Sequence, residues 1–257
     1  MPKRFLLLVF ICFALITSAC AKRDATVSAI RARGELRVGV KVDVKHFGYL
    51  NPETNLMEGL EIDIARELAQ MLLGSADAIK FVPVTAQTRE TMLTNGEVDL
   101  VIATFTITDA RREVLNFSRP YYTDEIGFLI RTNDSIGQIP DFNGKIVGTS
   151  RSSTAFTTFS QHPELLVGDF TLKGFASYPE LQNALATGAI DVFCADKSIL
   201  YGYIDNETTL LNDGIQPQPY GIATNLEDSD FAKEIDKLLG EMEENGRLDE
   251  ILAKWTE

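Results

Sequence analysis

Apolar and other residues alternate along Leu36-Arg-Val-Gly-Val-Lys-Val42, the period-two pattern of a strand with one buried face. A four-residue period follows, where Leu60, Ile64, Leu68 and Leu72 line one face of a helix that Gly74 stops. Ile79–Val84 predicts another strand, and the short apolar run Val98–Ala103, interrupted only by Asp99, has the character of a buried strand. Beyond the turn at Pro140–Gly144 come strands at Lys145–Thr149 and Phe170–Phe175, a helix over Tyr178–Ala186 and a strand over Ile190–Cys194. Two further helices are expected around Asp230–Gly240 and Leu248–Trp255. Strands alternating with helices define an α/β chain.

One pattern occurs twice. Leu93-Thr-Asn-Gly-Glu-Val-Asp-Leu-Val-Ile-Ala103 is echoed by Leu185-Ala-Thr-Gly-Ala-Ile-Asp-Val-Phe-Cys-Ala195. Each is a helix end, a glycine stop and a buried strand. Chance similarity of two such units is one account of the echo; the other is two α/β lobes of similar build. Ligands bind beyond the carboxyl ends of strands in open α/β sheets, so polar contacts belong at these two strand ends.

The stretch after the first copy is rich in candidate chemistry. Thr104, Thr106 and Thr108 bring hydroxyls to the strand end, and Thr108 or Asp109 can cap a short helix. A capping box would place Glu or Gln three residues after Thr108, where Arg111 stands, followed by Arg112. Cations there oppose the helix dipole by roughly 0.3–1 kcal/mol each. A guanidinium that meets an anion resolves the conflict; a solvated surface arginine is the plainer alternative.

Residues 98–122 and Gly59-Leu-Glu-Ile-Asp-Ile-Ala65 resemble the ligand-binding core of the family 3 periplasmic solute-binding proteins of amino-acid ABC importers. The resemblance extends from about Arg33 to Trp255. It implies a two-lobed periplasmic-binding-protein fold of type II, with the ligand cleft between lobes joined by two hinge strands. Residues 20–127 with 219–257 would form lobe one and 128–218 lobe two. The C-terminal helices would return to lobe one, so the chain would cross near Asp124–Ile130 and again near Gln216–Ile222.

Composition adds exclusions. The chain has 257 residues and a net charge of −13. Residues 1–19 read as a signal peptide: Lys3 and Arg4, an apolar run from Phe5 to Ile16, then small residues up to Cys20. Losing them removes two of the 24 cations and none of the 37 anions, leaving −15. That balance excludes nucleic acid as a partner and makes any cluster of cations in a cleft informative. Thr17-Ser-Ala-Cys20 resembles a lipobox, which implies a lipid anchor on Cys20 and a membrane-tethered exported protein; Ala19-Cys-Ala21 could instead serve an ordinary signal peptidase. Cys194 lies in an apolar run, as a buried inert thiol does, and leaves no disulfide partner once Cys20 is lipidated.

The resemblance also supplies a site. Arg111 matches the family's clamp on the ligand α-carboxylate, and Asp196 its acceptor for the α-ammonium; Asp196 could also cap the helix after it. Thr104 and Thr106 match the strand-end hydroxyls, and Thr154 matches the hydroxyl of the opposite lobe, with Ser153 beside it. Lys41, Arg89 and Tyr220 resemble the aspartate/glutamate-binding subgroup. Three cations against one acid imply an acidic ligand; glutamine or a small polar amino acid such as cysteine is the alternative, since Arg89 could pair with Glu90 or Glu97 at the surface. Leu60 stands where many members carry an aromatic over the ligand, and Phe47 or Tyr49 could replace it. No metal, cofactor or catalytic residue is expected: the two histidines, His46 and His162, form no metal-binding or triad motif. Dehydratases and sensor domains of the same fold are the competing class. A membrane permease is the expected partner of an otherwise monomeric protein.

Overall fold

The computed structural model describes residues 25–256; the expected signal segment 1–19 and Cys20 lie outside them. The chain opens with α1 (Ala25–Arg33) and β1 (Leu36–Val40), on which Leu36, Val38 and Val40 are fully buried. The strand ends two residues before the predicted Val42, so Lys41 stands just past it. A three-stranded antiparallel sheet follows, made of β2 (Asp43–Val44), β3 (Gly48–Leu50) and β4 (Met57–Glu58), which the sequence pattern does not predict. Gly59 then turns the chain at φ 128, where a Cβ would collide with the carbonyl of Phe47; only glycine fits.

Helix α2 (Leu60–Leu73) buries the four predicted positions and ends at Gly74 in the left-handed region. Next come β5 (Ile79–Pro83), α3 (Arg89–Thr94), β6 (Leu100–Ile102), α4 (Asp109–Arg112) and β7 (Leu115–Phe117). β8 (Tyr122–Arg131) leads to β9 (Ile146–Ser150), α5 (Thr154–Gln161), β10 (Thr171–Phe175), α6 (Tyr178–Ala186), β11 (Val192–Asp196), α7 (Lys197–Tyr201) and β12 (Thr208–Leu210). β13 (Ile215–Tyr220), β14 (Ala223–Asn225), α8 (Ser229–Glu244) and α9 (Arg247–Thr256) complete the chain.

Two sheets organise these elements. The first has the order β5-β1-β6-β14-β7, with β5, β1 and β6 parallel. The second has the order β10-β9-β11-β8-β12, with β10, β9 and β11 parallel. The repeated segments occupy equivalent places: each helix ends at a left-handed glycine, Gly96 or Gly188, and each strand lies at the centre of its sheet. The second strand runs through to Asp196, two residues beyond its predicted end.

β8 and β13 pair antiparallel, with Tyr122 opposite Tyr220 and Asp124 opposite Gln218. They coincide with the two expected crossings. Pro217 and Pro219 interrupt β13 only at alternate positions, and the Pro219 carbonyl faces away from β8 to accept from Ile107 N at 2.7 Å. An N–H at such a position would not have served the ladder, which is why proline is tolerated there. α8 packs on β7 and β14, and α9 on α2, so the C-terminal helices return to the first sheet. One continuous core contains Leu36, Val38 and Leu68 together with Leu181, Phe193 and Tyr220, while separate clusters cover the other face of each sheet.

Candidate functional site

The ends of the parallel strands face one another across the gap between the sheets. After β6 the chain makes a sharp turn in which Thr104 takes φ 44, a conformation that costs a side-chain-bearing residue on the order of 1 kcal/mol and needs external support. The support is electrostatic. Arg89, at the start of α3, donates through Nη1 to the carbonyls of Ala103 at 2.7 Å and Thr104 at 3.2 Å. Its guanidinium also covers the Phe105 ring at 3.8 Å. Glu61, in the first turn of α2, accepts from Thr104 N at 2.5 Å and from the Tyr121 hydroxyl at 2.5 Å.

Thr108 caps α4, its hydroxyl accepting from Arg111 N at 3.2 Å. The Arg111 guanidinium folds back toward the cleft instead of into solvent. Nη1 donates to Thr106 O at 2.8 Å, Nη2 to Ser152 O at 3.3 Å from the second sheet, and Nε lies 3.5 Å from Glu90. On that opposite side Ser153 caps α5 by accepting from Phe156 N, which leaves the Thr154 hydroxyl free of capping. Thr154 and Thr106 both donate to one oxygen, Gln218 Oε1, at 2.6 and 3.0 Å.

Asp196 ends β11 and occupies the cap position of α7, but its side chain makes no cap bond. Asp124 takes that duty, accepting from Ser198 N at 2.9 Å. Asp196 accepts instead from the Tyr220 hydroxyl at 2.7 Å, which also lies 3.1 Å from Asp124. Lys41 is buried, pairs with Asp43 at 2.9 Å, and holds its ammonium 4.8 Å above the Tyr178 ring.

One cavity between the sheets is bounded by Arg89, Thr104, Thr106, Thr154 and Asp196, with Ser153 and Tyr178 completing its wall. Five of the eight expected ligand residues thus share it. Lys41 lies behind Tyr178, Tyr220 behind Asp196, and Arg111 against Thr106. Leu60 is fully buried in the core, and Phe47 packs edge-on against Tyr122 and Tyr220 at ring distances of 5.1 and 6.0 Å. The aromatic beside the cavity is therefore Tyr178, not Phe47 or Tyr49.

Burial dominates the electrostatics. It pushes the carboxyls of Asp196 and Glu61 up to about 7; for Asp196 the nearby Asp124 charge adds to the effect. Burial lowers Lys41 and Arg89 from their ordinary values and brings Arg111 down to about 9, with the Arg89 charge also working against it. Each cation consequently gains from a buried anion close by. Sequence reasoning missed Glu61, Asp124, Gln218 and Tyr178. Of these, only Glu61 carried a signal, since it lies within the Gly59–Ala65 motif. Among the described residues no His, Cys, Asp and Glu cluster fits a metal ion, and no helix is long and apolar enough to cross a membrane.

Two α/β lobes joined by a paired crossover, with polar strand ends opposed across the gap, define a two-lobed binding protein. The model of the bacterial extracellular solute-binding proteins, family 3, matches residues 36–257, and the chain belongs to that family. It is 34% identical to the ABC transporter glutamine-binding protein GlnH of Bacillus subtilis, over 91% of this chain and 85% of that protein. The glutamate-binding protein GluB of Corynebacterium efficiens is 27% identical, over 90% and 81% of the two chains. Among solved structures, the solute receptor for L-cysteine of Neisseria gonorrhoeae superposes with a TM-score of 0.82 at 27% identity, covering 89% of this chain and 92% of that one.

Proposed function

We propose that this chain is the substrate-binding component of an amino-acid ABC importer, and that glutamine is its ligand. Arg111 would clamp the α-carboxylate with Thr106 and Thr154, and Asp196 would accept from the α-ammonium. Thr104, Arg89 and Tyr220 would shape and hold these contacts. The observation that carries the choice of side chain is the Lys41–Asp43 pair beside Tyr178. The pair neutralises Lys41 behind the cavity wall, so Lys41 offers no free cation to a distal carboxylate, and a neutral side-chain amide is favoured. The similarity to a glutamine-binding protein supports the same reading.

An acidic ligand, glutamate or aspartate, is the second reading. Its support is Arg89 Nε, which is buried without a hydrogen-bond partner and could receive a distal carboxylate. Calorimetric titration of glutamine, glutamate, aspartate, cysteine and arginine in parallel decides between them. Glutamine is expected to bind tightest; tighter binding of arginine or cysteine than of both glutamine and glutamate would overturn the assignment.

We further propose binding without turnover, with lobe one as 20–127 plus 219–257 and lobe two as 128–218. The protein would act as a monomer at the extracytoplasmic face, delivering its ligand to a permease. Cleavage before Cys20 and lipidation of its sulfur would anchor it to the membrane. Cys20→Ser should then release it into the soluble exported fraction with ligand affinity unchanged, and a wild type already wholly soluble would exclude the anchor.

A further inference from the structure

The peptide group linking Ala103 to Thr104 lies between two buried, oppositely charged side chains. Glu61 takes its N–H at 2.5 Å and Arg89 donates to its C=O at 2.7 Å. Glu61 is fully buried, Arg89 is 4% exposed, and the second Glu61 oxygen, Oε2, has no partner. A buried ionised carboxylate is tolerated only when a counter-charge is near, and here the polarised peptide sits directly between the two. The other groups facing Glu61 are the Tyr121 hydroxyl, from the segment after β7, and the Lys41 ammonium, from the end of β1.

The charges of the cleft can then be matched one by one. Lys41 is balanced by Asp43, Arg111 by the α-carboxylate of a bound amino acid, and Asp196 by its α-ammonium. Glu90 also faces Arg89 and Arg111, but its side chain is 43% exposed and screened by solvent, so the fully buried anion left to Arg89 is either Glu61 or a second ligand carboxylate. We propose that Glu61, as the buried counter-charge of Arg89, sets whether the cleft admits a neutral or an acidic side chain. Ionised Glu61 balances Arg89 and favours glutamine; neutral Glu61 frees Arg89 for the distal carboxylate of glutamate. This rests on the amino-acid-binding reading above and names the residue that chooses between its two ligands.

Burial holds the Glu61 carboxyl at about 7, so protonation near neutrality should perform the same change that mutation does. Protonation of Asp196 weakens the contact with the α-ammonium, which both ligands share, so it cancels in the ratio of their affinities.

The test is calorimetry of glutamine and glutamate with the mature chain and with Glu61→Gln. The Gln oxygen can still accept from Thr104 N and Tyr121, so the turn is kept. The ratio Kd(glutamate)/Kd(glutamine) is expected to fall by about tenfold or more in the variant, the scale at which a buried site discriminates matched from unmatched groups. In the wild type the ratio should fall as pH is lowered through about 7, and in the variant that dependence should vanish. The wild-type pH series stands alone if Glu61→Gln does not fold. A ratio that is flat with pH while both ligands bind overturns the role of Glu61 and leaves the binding function intact. Binding of neither amino acid overturns the function and this inference together.

Discussion

Tyr220 and Asp196 are joined by a 2.7 Å hydrogen bond that ties the second crossover strand to the end of β11. The same hydroxyl lies 3.1 Å from Asp124, so one phenol proton serves two buried carboxylates. The bond orients Asp196 and offsets the burial and the nearby Asp124 charge that drive the Asp196 carboxyl toward its neutral form.

Tyr220→Phe keeps the ring packing with Phe47, Tyr121 and Tyr122 and removes that donor. A loss of about 1–3 kcal/mol in unfolding free energy is expected, the cost of leaving a buried acceptor unsatisfied. Amino-acid affinity should fall at neutral pH, because Asp196 then holds a proton that the α-ammonium cannot use. Chemical denaturation and calorimetry measure the two effects. Unchanged values in both would show that water or a neighbour replaces the phenol at no cost.

Arg111→Lys should abolish most binding while leaving the fold intact. The guanidinium reaches Thr106 O, Ser152 O and the Glu90 carboxylate at once while covering the Phe105 ring, and an ammonium cannot occupy all of these positions. Truncating one partner of a desolvated charge pair costs about 2–5 kcal/mol of binding. Wild-type affinity in the lysine variant would remove Arg111 from the site.

Thermal stability should depend on pH in a direction opposite to that of most acidic proteins. Glu61 and Asp196 titrate at about 7 in the folded chain, against ordinary values of 4.5 and 3.8. Raised carboxyl pKa values mean that the folded state holds protons which the unfolded state releases. Their contribution is therefore complete below about pH 4 and disappears as pH rises through about 7. Differential scanning fluorimetry of the ligand-free protein should record a falling Tm across that window, with a shallower fall in Glu61→Gln. A Tm that climbs steadily from pH 5 to pH 7 would refute the assignment.

Much of this architecture was legible in the sequence because it depends on local pattern. The period-four apolar face of α2, the paired helix–glycine–strand units and the Thr108 cap each arise from neighbours within one element. Asp196 and Arg111 were recognisable through the resemblance to the family, at the positions its motifs mark. The role of Glu61 was not, although it lies within the Gly59–Ala65 motif, since an acid in the first turn of a helix is favourable at an exposed surface too. Only Thr104, Tyr121 and Arg89, brought in from three other segments, reveal that it is buried. Gln218, flanked by two prolines, carries no local signal; Thr106 and Thr154 make it a bridge between the lobes. Arg89 lines the cavity and also has a second task, its Nη1 holding backbone carbonyls through bonds no spacing rule predicts.

The alternate prolines of β13 bear on how these proteins behave when crowded. A strand margin with open N–H groups can recruit another polypeptide, and an exported protein cannot count on cytoplasmic chaperones to prevent it. At positions 217 and 219 the crossover strand has no N–H to offer, and the outward carbonyl of Pro219 is already taken by Ile107. The crossover strand is thereby a poor template for intermolecular sheet growth. Replacing both prolines would restore those donors and make the margin of the crossover strand a better template for a second polypeptide.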